Sequence, residues 1–410
     1  MLSFLPLLPE KGGRMDSFMD LDTIIERKNT DCLKFDAATR RGYPEDILPL
    51  WVADMDFPAA PPILEALKKR ITHGVFGYSE PDSDRFFPVL ERWFRERHNW
   101  QIQKDWLLQT PGVVFALAMA VKAFTEPGDA VLIQQPVYYP FSEVILDNGR
   151  HRVSSDLLLK GGRYEIDFAD FERKIVENKV KLFLLCSPHN PVGRVWTRDE
   201  LEMVAAICRK HNVIVIADEI HEDFVWTERP HIPYASLGGA IAEKAVICTA
   251  PSKTFNLAGL QVSNIFIPDY GLRRRFKHEI NAAGYSQLNT LGLIACEAAY
   301  GEGFSWLQEV KQYLRENIDL TRAFLQQHIP WIRLVEPEGT YLLWLDCRGL
   351  GLSSFELDEF IIKKAGLWLD SGAIFGAAGK GFQRINVACP RSVLQEALER
   401  IQRAISCCLK

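Results

Sequence analysis

The sequence predicts an α/β fold in which a large domain with a mostly parallel, doubly wound sheet joins a smaller α+β domain. Short apolar strands alternate with amphipathic helices between about residues 106 and 250. The stretch 213–217 (VIVIA) is apolar throughout, as expected of a parallel strand that is covered on both faces. After about residue 290 longer amphipathic helices replace this alternation. A chain of 410 residues is also long enough for two domains.

Composition and charge narrow the class of protein. Hydrophobic residues make up 47% and charged residues 25% of the chain, which is typical of a globular protein. The formal net charge is -5 and no basic face is visible, so we expect no nucleic-acid partner. The nine cysteines form no C-x-x-C pair, so we expect no metal site and a cytoplasmic location. No stretch reaches the roughly 18 apolar residues of a membrane helix, and we expect no membrane partner.

The chain is predicted to divide into four segments. Residues 1–14 are interpreted as a disordered extension, and residues 15–57 as an N-terminal arm that packs with the small domain. The large cofactor-binding domain is placed at 58–291 and the small C-terminal domain at 292–410. The large domain opens with a helix from Pro61 to Gly74, because two prolines start it, apolar residues recur at helical spacing and a glycine ends it.

The large domain then continues as strands and helices in turn. A helix from Val113 to Phe124 follows Pro111-Gly112, and another begins at Thr197, where Thr197 and Glu200 have the spacing of a capping box. The strands of this domain are predicted at 106–108, 130–133, 181–186, 213–217 and 245–248. In the small domain, strands are predicted at 341–345 and 383–387, and helices at 292–327, 355–365 and 392–406.

Four side chains of different chemistry follow the predicted strands of the large domain. They are Tyr138, Asn190, Asp218 and Lys253. Each has an ordinary explanation alone: a packed tyrosine, an Asn-Pro turn, a helix-capping aspartate or a surface lysine. However, ligands bind beyond the carboxyl ends of the strands in an open parallel sheet, so we expect the four to converge on one edge.

Together the four side chains suit a single ligand. A lysine amine can form an imine with an aldehyde. A carboxylate can keep a pyridine nitrogen protonated, so that the ring accepts electrons. An aromatic face can stack on that ring, and an asparagine can donate to its oxygen. A phosphate could bind to the free amides where a helix starts, at Gly112, Val113 and Val114.

The motifs around these residues resemble the aspartate-aminotransferase superfamily, which is fold type I of the pyridoxal-phosphate enzymes, over nearly the whole chain from about residue 19. The motifs are S-P-H-N-P-V-G at 187–193, A-D-E-I-H at 217–221 and S-K-T-F-N at 252–256. Three others are similar to the bacterial cystathionine β-lyase and C–S lyase subgroup, which includes the maltose-regulon modulator type: W-V-A-D-M-D-F at 51–57, D-S-G-A-I-F-G at 370–376 and R-I-N-V-A-C-P-R at 384–391.

The resemblance implies that pyridoxal 5′-phosphate is the cofactor and that each motif residue has a role. Lys253 is implied to hold the cofactor as a Schiff base and to take the substrate's Cα proton. The cofactor ring is implied to contact Asp218 at its nitrogen, Asn190 at its hydroxyl oxygen and Tyr138 at its face, with His221 nearby. The phosphate is implied to lie at Gly112, Val113, Val114 and Ser252, and at Tyr78 of the neighbouring subunit of a homodimer. Arg384, with Asn190, is implied to bind the substrate α-carboxylate.

The sequence departs from the wider superfamily in two places. Gln261 stands where many aminotransferases have an arginine that neutralises the phosphate. Phosphate binding should therefore depend more on amides and hydroxyls. No clear second arginine is present for a side-chain carboxylate, which disfavours a dicarboxylate transaminase. The resemblance also suggests Trp51 and Tyr285 as residues of the substrate entrance.

The implied activity is β-elimination of cystathionine or a related cysteine S-conjugate to a thiol, pyruvate and ammonia. The partner is then a small amino-acid substrate, and which thioether it is stays open. Two alternatives remain: an aminotransferase of class I or II, since the same lysine serves both reactions, and a cofactor-binding regulatory protein that modulates a transcription factor. A nicotinamide dehydrogenase is disfavoured, because no G-x-G-x-x-G motif joins a strand to a helix.

Overall fold

The computed structural model of the protein describes residues 19–81, 83–285 and 287–408. The expected extension at 1–14 lies outside these residues. The described strands are β1 (Leu48–Pro49), β2 (Leu107–Thr110), β3 (Ala130–Ile133), β4 (His151–Ser154), β5 (Leu158–Lys160), β6 (Arg163–Glu165), β7 (Leu182–Cys186), β8 (Ile214–Asp218), β9 (Ala245–Thr249), β10 (Ser263–Phe266), β11 (Arg333–Val335), β12 (Leu342–Asp346), β13 (Leu367–Trp368), β14 (Asp370–Ser371) and β15 (Phe382–Asn386).

Helices connect most of these strands. They are α1 (Leu33–Asp36), α2 (Pro61–His73), α3 (Ser83–His98), α4 (Val113–Phe124), α5 (Pro140–Leu146), α6 (Phe168–Asn178), α7 (Arg198–Lys210), α8 (Gly239–Ala242), α9 (Pro251–Thr254), α10 (Tyr270–Ala282), α11 (Thr290–Glu302), α12 (Phe304–His328), α13 (Ser354–Glu359) and α14 (Arg391–Cys408). Within the described residues, none of the helices has both the length and the apolar character needed to cross a membrane.

The central sheet has seven strands in the order β2-β10-β9-β8-β7-β3-β4. Strands β4, β3, β7, β8 and β9 run parallel, and only β10 is antiparallel to its neighbours β9 and β2. Alternate residues of β7 belong to two different buried clusters: Leu182 and Leu184 to one, Phe183 and Leu185 to the other. Both faces of the sheet are therefore covered, which confirms the predicted doubly wound α/β fold.

The strands of this sheet end in register. Asp218 pairs with Cys186 of β7 on one side and with Cys248 of β9 on the other. Asp218 is therefore the last residue of its strand, whereas the sequence placed it just beyond a strand at 213–217. The loops that follow β7, β8 and β9 consequently start at the same level of the sheet, where a ligand site is expected.

A second, antiparallel sheet forms from the C-terminal part of the chain in the order β11-β12-β15-β14. In it Arg384 of β15 lies opposite Trp344 of β12 and Asp370 of β14. The short strand β1 pairs in parallel with β13, so the N-terminal arm joins this part of the chain. The division into segments at 57 and 291 stays a prediction.

Two helix ends agree with the local signals that predicted them. Helix α2 spans Pro61–His73, and Gly74 after it is left-handed with φ 78°, a conformation that glycine adopts without strain. At the start of α7 the Thr197 side chain accepts from the Glu200 amide, and the Glu200 carboxylate accepts from the Thr197 amide. The predicted capping box is therefore confirmed. The helix expected at 355–365 ends earlier, at Glu359, and continues as one wider turn over Phe360–Lys364.

Candidate active site

Lys253 lies in α9, the short helix that follows β9. Its Nζ atom donates to the carbonyl oxygen of Ala53 at 2.7 Å. The side chain is partly exposed, whereas its neighbours Ser252 and Thr254 are buried. Burial and the positive charge of Arg384 lower the pKa of Lys253 to about 8, although Asp54 and Asp218 act in the opposite direction. A substantial fraction of this amine is therefore neutral, and nucleophilic, near physiological pH.

Asp218 lies at the end of β8 with 6% of its surface exposed. Its Oδ1 atom accepts from the Ile220 amide at 3.2 Å, and within the described chain no side chain donates to the carboxylate. Burial raises its pKa to about 7, against the effect of that amide and of Lys253. A buried carboxylate with so little compensation is suited to a cationic N–H donor, such as a protonated pyridine nitrogen.

Asn190 and Tyr138 meet beside this carboxylate, as the sequence predicted. The Tyr138 amide donates to the Asn190 carbonyl oxygen at 3.0 Å. The Tyr138 ring is half-buried, and burial and the neighbouring Tyr139 raise the pKa of its phenol well above the usual value. The phenol is therefore neutral at physiological pH, and its ring offers an uncharged face for stacking.

Arg384 lies on the other side of the cleft, 3% exposed, on β15. Its Nη1 atom donates to Asn190 Oδ1 at 2.9 Å, and its Nη2 atom donates to the Trp51 carbonyl oxygen at 2.9 Å and to the Asp370 carboxylate. The buried Nε atom has no partner among the described residues. A guanidinium held at several points, with a donor still free, is suited to binding a carboxylate.

Asp370 is a site residue that sequence reasoning missed. It belongs to the quoted motif D-S-G-A-I-F-G, but no property of that motif indicates its partner. The partner follows from the antiparallel register, in which Asp370 and Arg384 are cross-strand neighbours. Burial raises the pKa of Asp370, and Arg384 opposes this effect.

The predicted phosphate-binding residues lie at the same edge of the central sheet. In the sheet register Thr110 pairs with Ser263, and the next row joins Gln109, Asn264 and Thr249. Gly112 and Ser252 therefore each follow the end of a strand at a similar level. Among the residues that the structure describes, no side chain caps helix α4 at Gly112, so the first amides of that helix are free of side-chain acceptors there.

Gln261 lies near this edge but is not buried. Its backbone is left-handed with φ 49°, and its side chain is exposed. Hydroxyls do occur at this end of the sheet: Thr110 Oγ1 and Ser263 Oγ are 2.6 Å apart, and Ser252 is buried. The arrangement is compatible with a phosphate held by amides and hydroxyls.

The loop at 51–54 joins the two sides of the cleft, which the sequence did not predict. The Ala53 carbonyl accepts both from Lys253 and from the Tyr341 hydroxyl, the latter at 3.0 Å. The carbonyls of Val52 and Asp54 both accept from the Asn386 side chain at 2.6 Å. This part of the motif W-V-A-D-M-D-F therefore fixes the lysine relative to β15.

The remaining predicted residues fall into three places. His221 is buried, with its ring 5.9 Å from that of Tyr341 and its Nδ1 atom unpartnered among the described groups. Trp51 lines a cavity beside Arg384. Tyr78 and Tyr285 line a different cavity, of about 780 Å³, and Tyr78 is 94% exposed. Within one chain, Tyr78 is therefore not part of the Lys253 cleft.

Buried carboxylates and histidines lie behind the lysine, although the sequence predicted no metal site. Two overlapping groups have spacings that could hold a metal ion: His98, Glu222 and Asp223, and Glu219, Glu222 and His231. Both histidines are already paired, His98 with Asp223 at 3.2 Å and His231 with Glu219 at 3.0 Å. Asp223 also accepts from Thr254 at 2.7 Å. This cluster therefore supports the helix that carries Lys253.

The side chains as a whole fit the cofactor that the resemblance implies. The partly exposed amine of Lys253 faces the same cleft as the uncompensated carboxylate of Asp218, and each acts on the pKa of the other group. The uncapped start of α4 and the buried Ser252 lie at the neighbouring strand ends. An aldehyde, a pyridine nitrogen and a phosphate each find a chemically suitable group.

Comparisons with known proteins agree with this description. Residues 45–401 match the family model for aminotransferases of class I and II. The chain is 44% identical over 388 residues to the cystathionine beta-lyase PatB of Bacillus subtilis, covering 95% of this chain and 100% of that protein.

Two solved structures are similar over nearly the whole chain. Cystalysin from Treponema denticola, which contains pyridoxal 5′-phosphate, has a TM-score of 0.92 and 40% identity, covering 95% of this chain and 99% of the other. The PLP-bound C-S lyase from Staphylococcus hominis has a TM-score of 0.89 and 31% identity, covering 96% of this chain and 100% of the other.

Proposed function

The chain belongs to the class I and II aminotransferase family, and we propose that it is a pyridoxal-phosphate-dependent C–S β-lyase that acts on cystathionine or related cysteine conjugates. The observation that carries the proposal is that the loop at 51–54 holds both the reactive lysine, Lys253, and the carboxylate-binding arginine, Arg384. The Trp51 carbonyl binds Arg384 and the Ala53 carbonyl binds Lys253. We infer that an amino acid whose carboxylate lies on Arg384 presents its α-carbon to the lysine amine.

The residues of the cleft would have different roles in such a reaction. When bound, pyridoxal 5′-phosphate supplies an aldehyde that combines with amines and a protonated ring that accepts electrons. Arg384 and Asn190 orient the substrate by its carboxylate. Lys253 takes the proton from the substrate's α-carbon, after which a thiolate leaves the β-carbon. Asp218 would keep a proton on the pyridine nitrogen, and Tyr138 would cover the ring.

We propose elimination and not amino-group transfer because of the activities that the names of the chain's relatives denote. The local geometry suits both reactions, since each begins with removal of the same proton. The names of two relatives, cystathionine beta-lyase and C-S lyase, denote carbon–sulfur cleavage, and the aligned regions cover at least 95% of this chain.

The decisive experiment supplies L-cystathionine without any 2-oxo acid. Pyruvate is followed by coupling to lactate dehydrogenase, and thiol by a colorimetric reagent. We expect equal amounts of both products from the wild-type enzyme. If neither appears, and an amino group is transferred once a 2-oxo acid is added, the protein is an aminotransferase and the proposal is wrong.

The pKa of Lys253 predicts how the apoenzyme takes up its cofactor. Only the neutral amine attacks an aldehyde, so the rate of covalent capture should rise with pH around a midpoint near 8. The measurement is mass spectrometry of the borohydride-reduced protein after short incubations between pH 6 and 10. N-acetyl-lysine amide, treated in parallel, corrects for titration of the cofactor itself.

A matched variant tests the cause of this midpoint. Asp54 raises the pKa of Lys253, so Asp54→Asn should move the midpoint to lower pH. A wild-type midpoint above pH 10, or a shift of the variant to higher pH, would contradict the assignment.

We also propose that the enzyme is a homodimer in which Tyr78 completes the neighbouring site. Val75, Phe76 and Tyr78 are 61%, 57% and 94% exposed, an apolar stretch that a second subunit would cover. The Tyr78 loop is tied to α11, because Thr290 Oγ1 lies 2.7 Å from Ser79 Oγ. It is therefore held in a defined position at the surface.

A further inference from the structure

Lys253 lies beside a carboxylate with which it forms no ion pair. Its Nζ atom donates to the Ala53 carbonyl oxygen at 2.7 Å, and Asp54 is the next residue along the chain. Within the described chain, however, the ion pairs of Asp54 are with other cations. An ion pair with Asp54 would stabilise the ammonium form of Lys253, which cannot attack an aldehyde. The groups that direct the Asp54 carboxylate elsewhere therefore affect the reactivity of the lysine.

Two cations of the N-terminal arm hold the Asp54 carboxylate. The Nη2 atom of Arg27 lies 2.6 Å from Asp54 Oδ2, and its Nη1 atom lies 2.6 Å from Asp56 Oδ1. The same guanidinium donates to the Met55 carbonyl oxygen at 3.3 Å. The Nζ atom of Lys34 donates to Asp56 Oδ2 at 2.7 Å and lies 3.8 Å from Asp54 Oδ1. A planar guanidinium that bridges two carboxylates fixes the direction of both.

These ion pairs are largely shielded from water. The Lys34 side chain is fully buried, and the side chain of Arg27, the most open of the four, is 22% exposed. Buried and partly buried pairs are screened by salt much less than surface pairs are. The Oδ1 atom of Asp54 is buried and accepts no hydrogen bond from the described residues. It could therefore accept one from Lys253 if the carboxylate turned toward the lysine.

We propose that Arg27 and Lys34 are positioning residues that hold the Asp54 carboxylate away from Lys253, so that the lysine amine stays free to act on the cofactor and the substrate. This inference rests on the role of Lys253 in the proposed function. It gives the two aspartates of the motif W-V-A-D-M-D-F a common partner in Arg27, which precedes Asp54 by 27 residues.

The charged and titratable groups nearby decide the sign of the expected effect. They are Asp54, Arg384, Asp218 and His221 around Lys253, and Arg27, Lys34 and Tyr341 around Asp54. His221 and Tyr341 are neutral near physiological pH, because burial holds the pKa of the histidine well below and that of the tyrosine well above the usual value. Removing Arg27 should let the Asp54 carboxylate approach Lys253 and raise the pKa of the amine, since an opposite charge favours the ammonium form.

The test is the pH midpoint at which the full-length apoenzyme captures pyridoxal 5′-phosphate on Lys253, measured by mass spectrometry after borohydride reduction. Arg27→Gln should raise this midpoint by about one pH unit or more, because a nearby opposite charge changes a pKa by about 1–3. Capture at pH 7 should then be roughly tenfold slower. Arg27→Lys keeps the charge without the fork, so its midpoint should lie between those of the wild type and Arg27→Gln. Lys28→Gln removes an exposed neighbouring cation that forms no ion pair in the described chain, and should keep the wild-type midpoint.

A double variant shows whether Arg27 acts through Asp54. In Asp54→Asn no carboxylate is left to turn toward the lysine, so adding Arg27→Gln should leave the midpoint of Asp54→Asn unchanged. An unchanged or lowered midpoint in Arg27→Gln alone, or an equal rise with and without Asp54, would overturn the inference. If circular dichroism shows that Arg27→Gln does not fold, a wild-type midpoint in Arg27→Lys would overturn it instead.

This measurement does not depend on elimination. If the midpoints change as expected but the wild-type holoenzyme releases no pyruvate from L-cystathionine, the inference stands and only the proposed lyase function is wrong. If the wild type captures no cofactor on Lys253 at any pH, the cofactor role of Lys253 in the proposed function is wrong, and the inference is wrong with it.

Discussion

Replacing Lys253 by alanine should lower pyruvate release from L-cystathionine by at least roughly 10³-fold, because a positioned general base alone contributes about 10² to 10⁴. The expected loss is large since the same Nζ atom would also hold the cofactor. Mass spectrometry of the borohydride-reduced protein should show the cofactor on the peptide with Lys253 in the wild type and on no peptide in the variant.

Two controls separate chemistry from folding in this experiment. Lys277→Ala removes an exposed lysine of α10 and should retain wild-type rates. A small primary amine added to Lys253→Ala should restore part of the activity, because it can occupy the vacated space and take the proton. Activity above a tenth of the wild-type value without added amine would show that another base acts on the substrate.

Replacing Arg384 by lysine should lower kcat/KM by roughly 10² to 10³-fold, because truncating one partner of a buried, hydrogen-bonded charge pair costs about 2–5 kcal/mol and about 1.4 kcal/mol corresponds to tenfold. Lysine keeps the charge but lacks the planar fork that contacts Asn190, Trp51 and Asp370 at once. If carboxylate binding is what is lost, KM should rise and account for most of the decrease in kcat/KM, while kcat should stay high.

The buried Asp370 provides a test of that interpretation. Arg384→Lys could act by leaving Asp370 poorly paired, and not through the substrate. In the double variant with Asp370→Asn that penalty is absent, so we expect the double variant to remain as impaired as Arg384→Lys. Recovery of kcat/KM in the double variant would mean that Arg384 mainly neutralises Asp370.

Much of the fold follows from interactions between residues close together in the chain. The end of α2 at Gly74 and the capping box of Thr197 and Glu200 depend on atoms within one helical turn. The apolar runs of β7, β8 and β9 indicate strands covered on both faces. Strand ends differ from prediction by one residue at Asp218 and by two at Thr110, because the ladder with neighbouring strands decides where each strand stops.

The set of candidate residues also follows from the chain order of the motifs. Asn190 and Lys253 follow two parallel strands, Asp218 ends the strand between them, and such strands end at one edge of the sheet. The sequence therefore determined that an amine, a carboxylate and an amide share a cleft. It also carried the family resemblance, because those residues and their neighbours form contiguous motifs.

Only the tertiary structure decided which distant parts of the chain hold Lys253 and Arg384 and what lies beside these two residues. Lys253 meets the Ala53 carbonyl across 200 residues, and Arg384 meets that of Trp51 across 333. The pairing of Asp370 with Arg384 depends on the register of an antiparallel sheet, and the stacking of Trp51 on Trp368 depends on how β1 joins β13. Caps and apolar periodicity reflect local energies, whereas these contacts depend on which distant surfaces pack together, and one sequence contains no local signal for that choice.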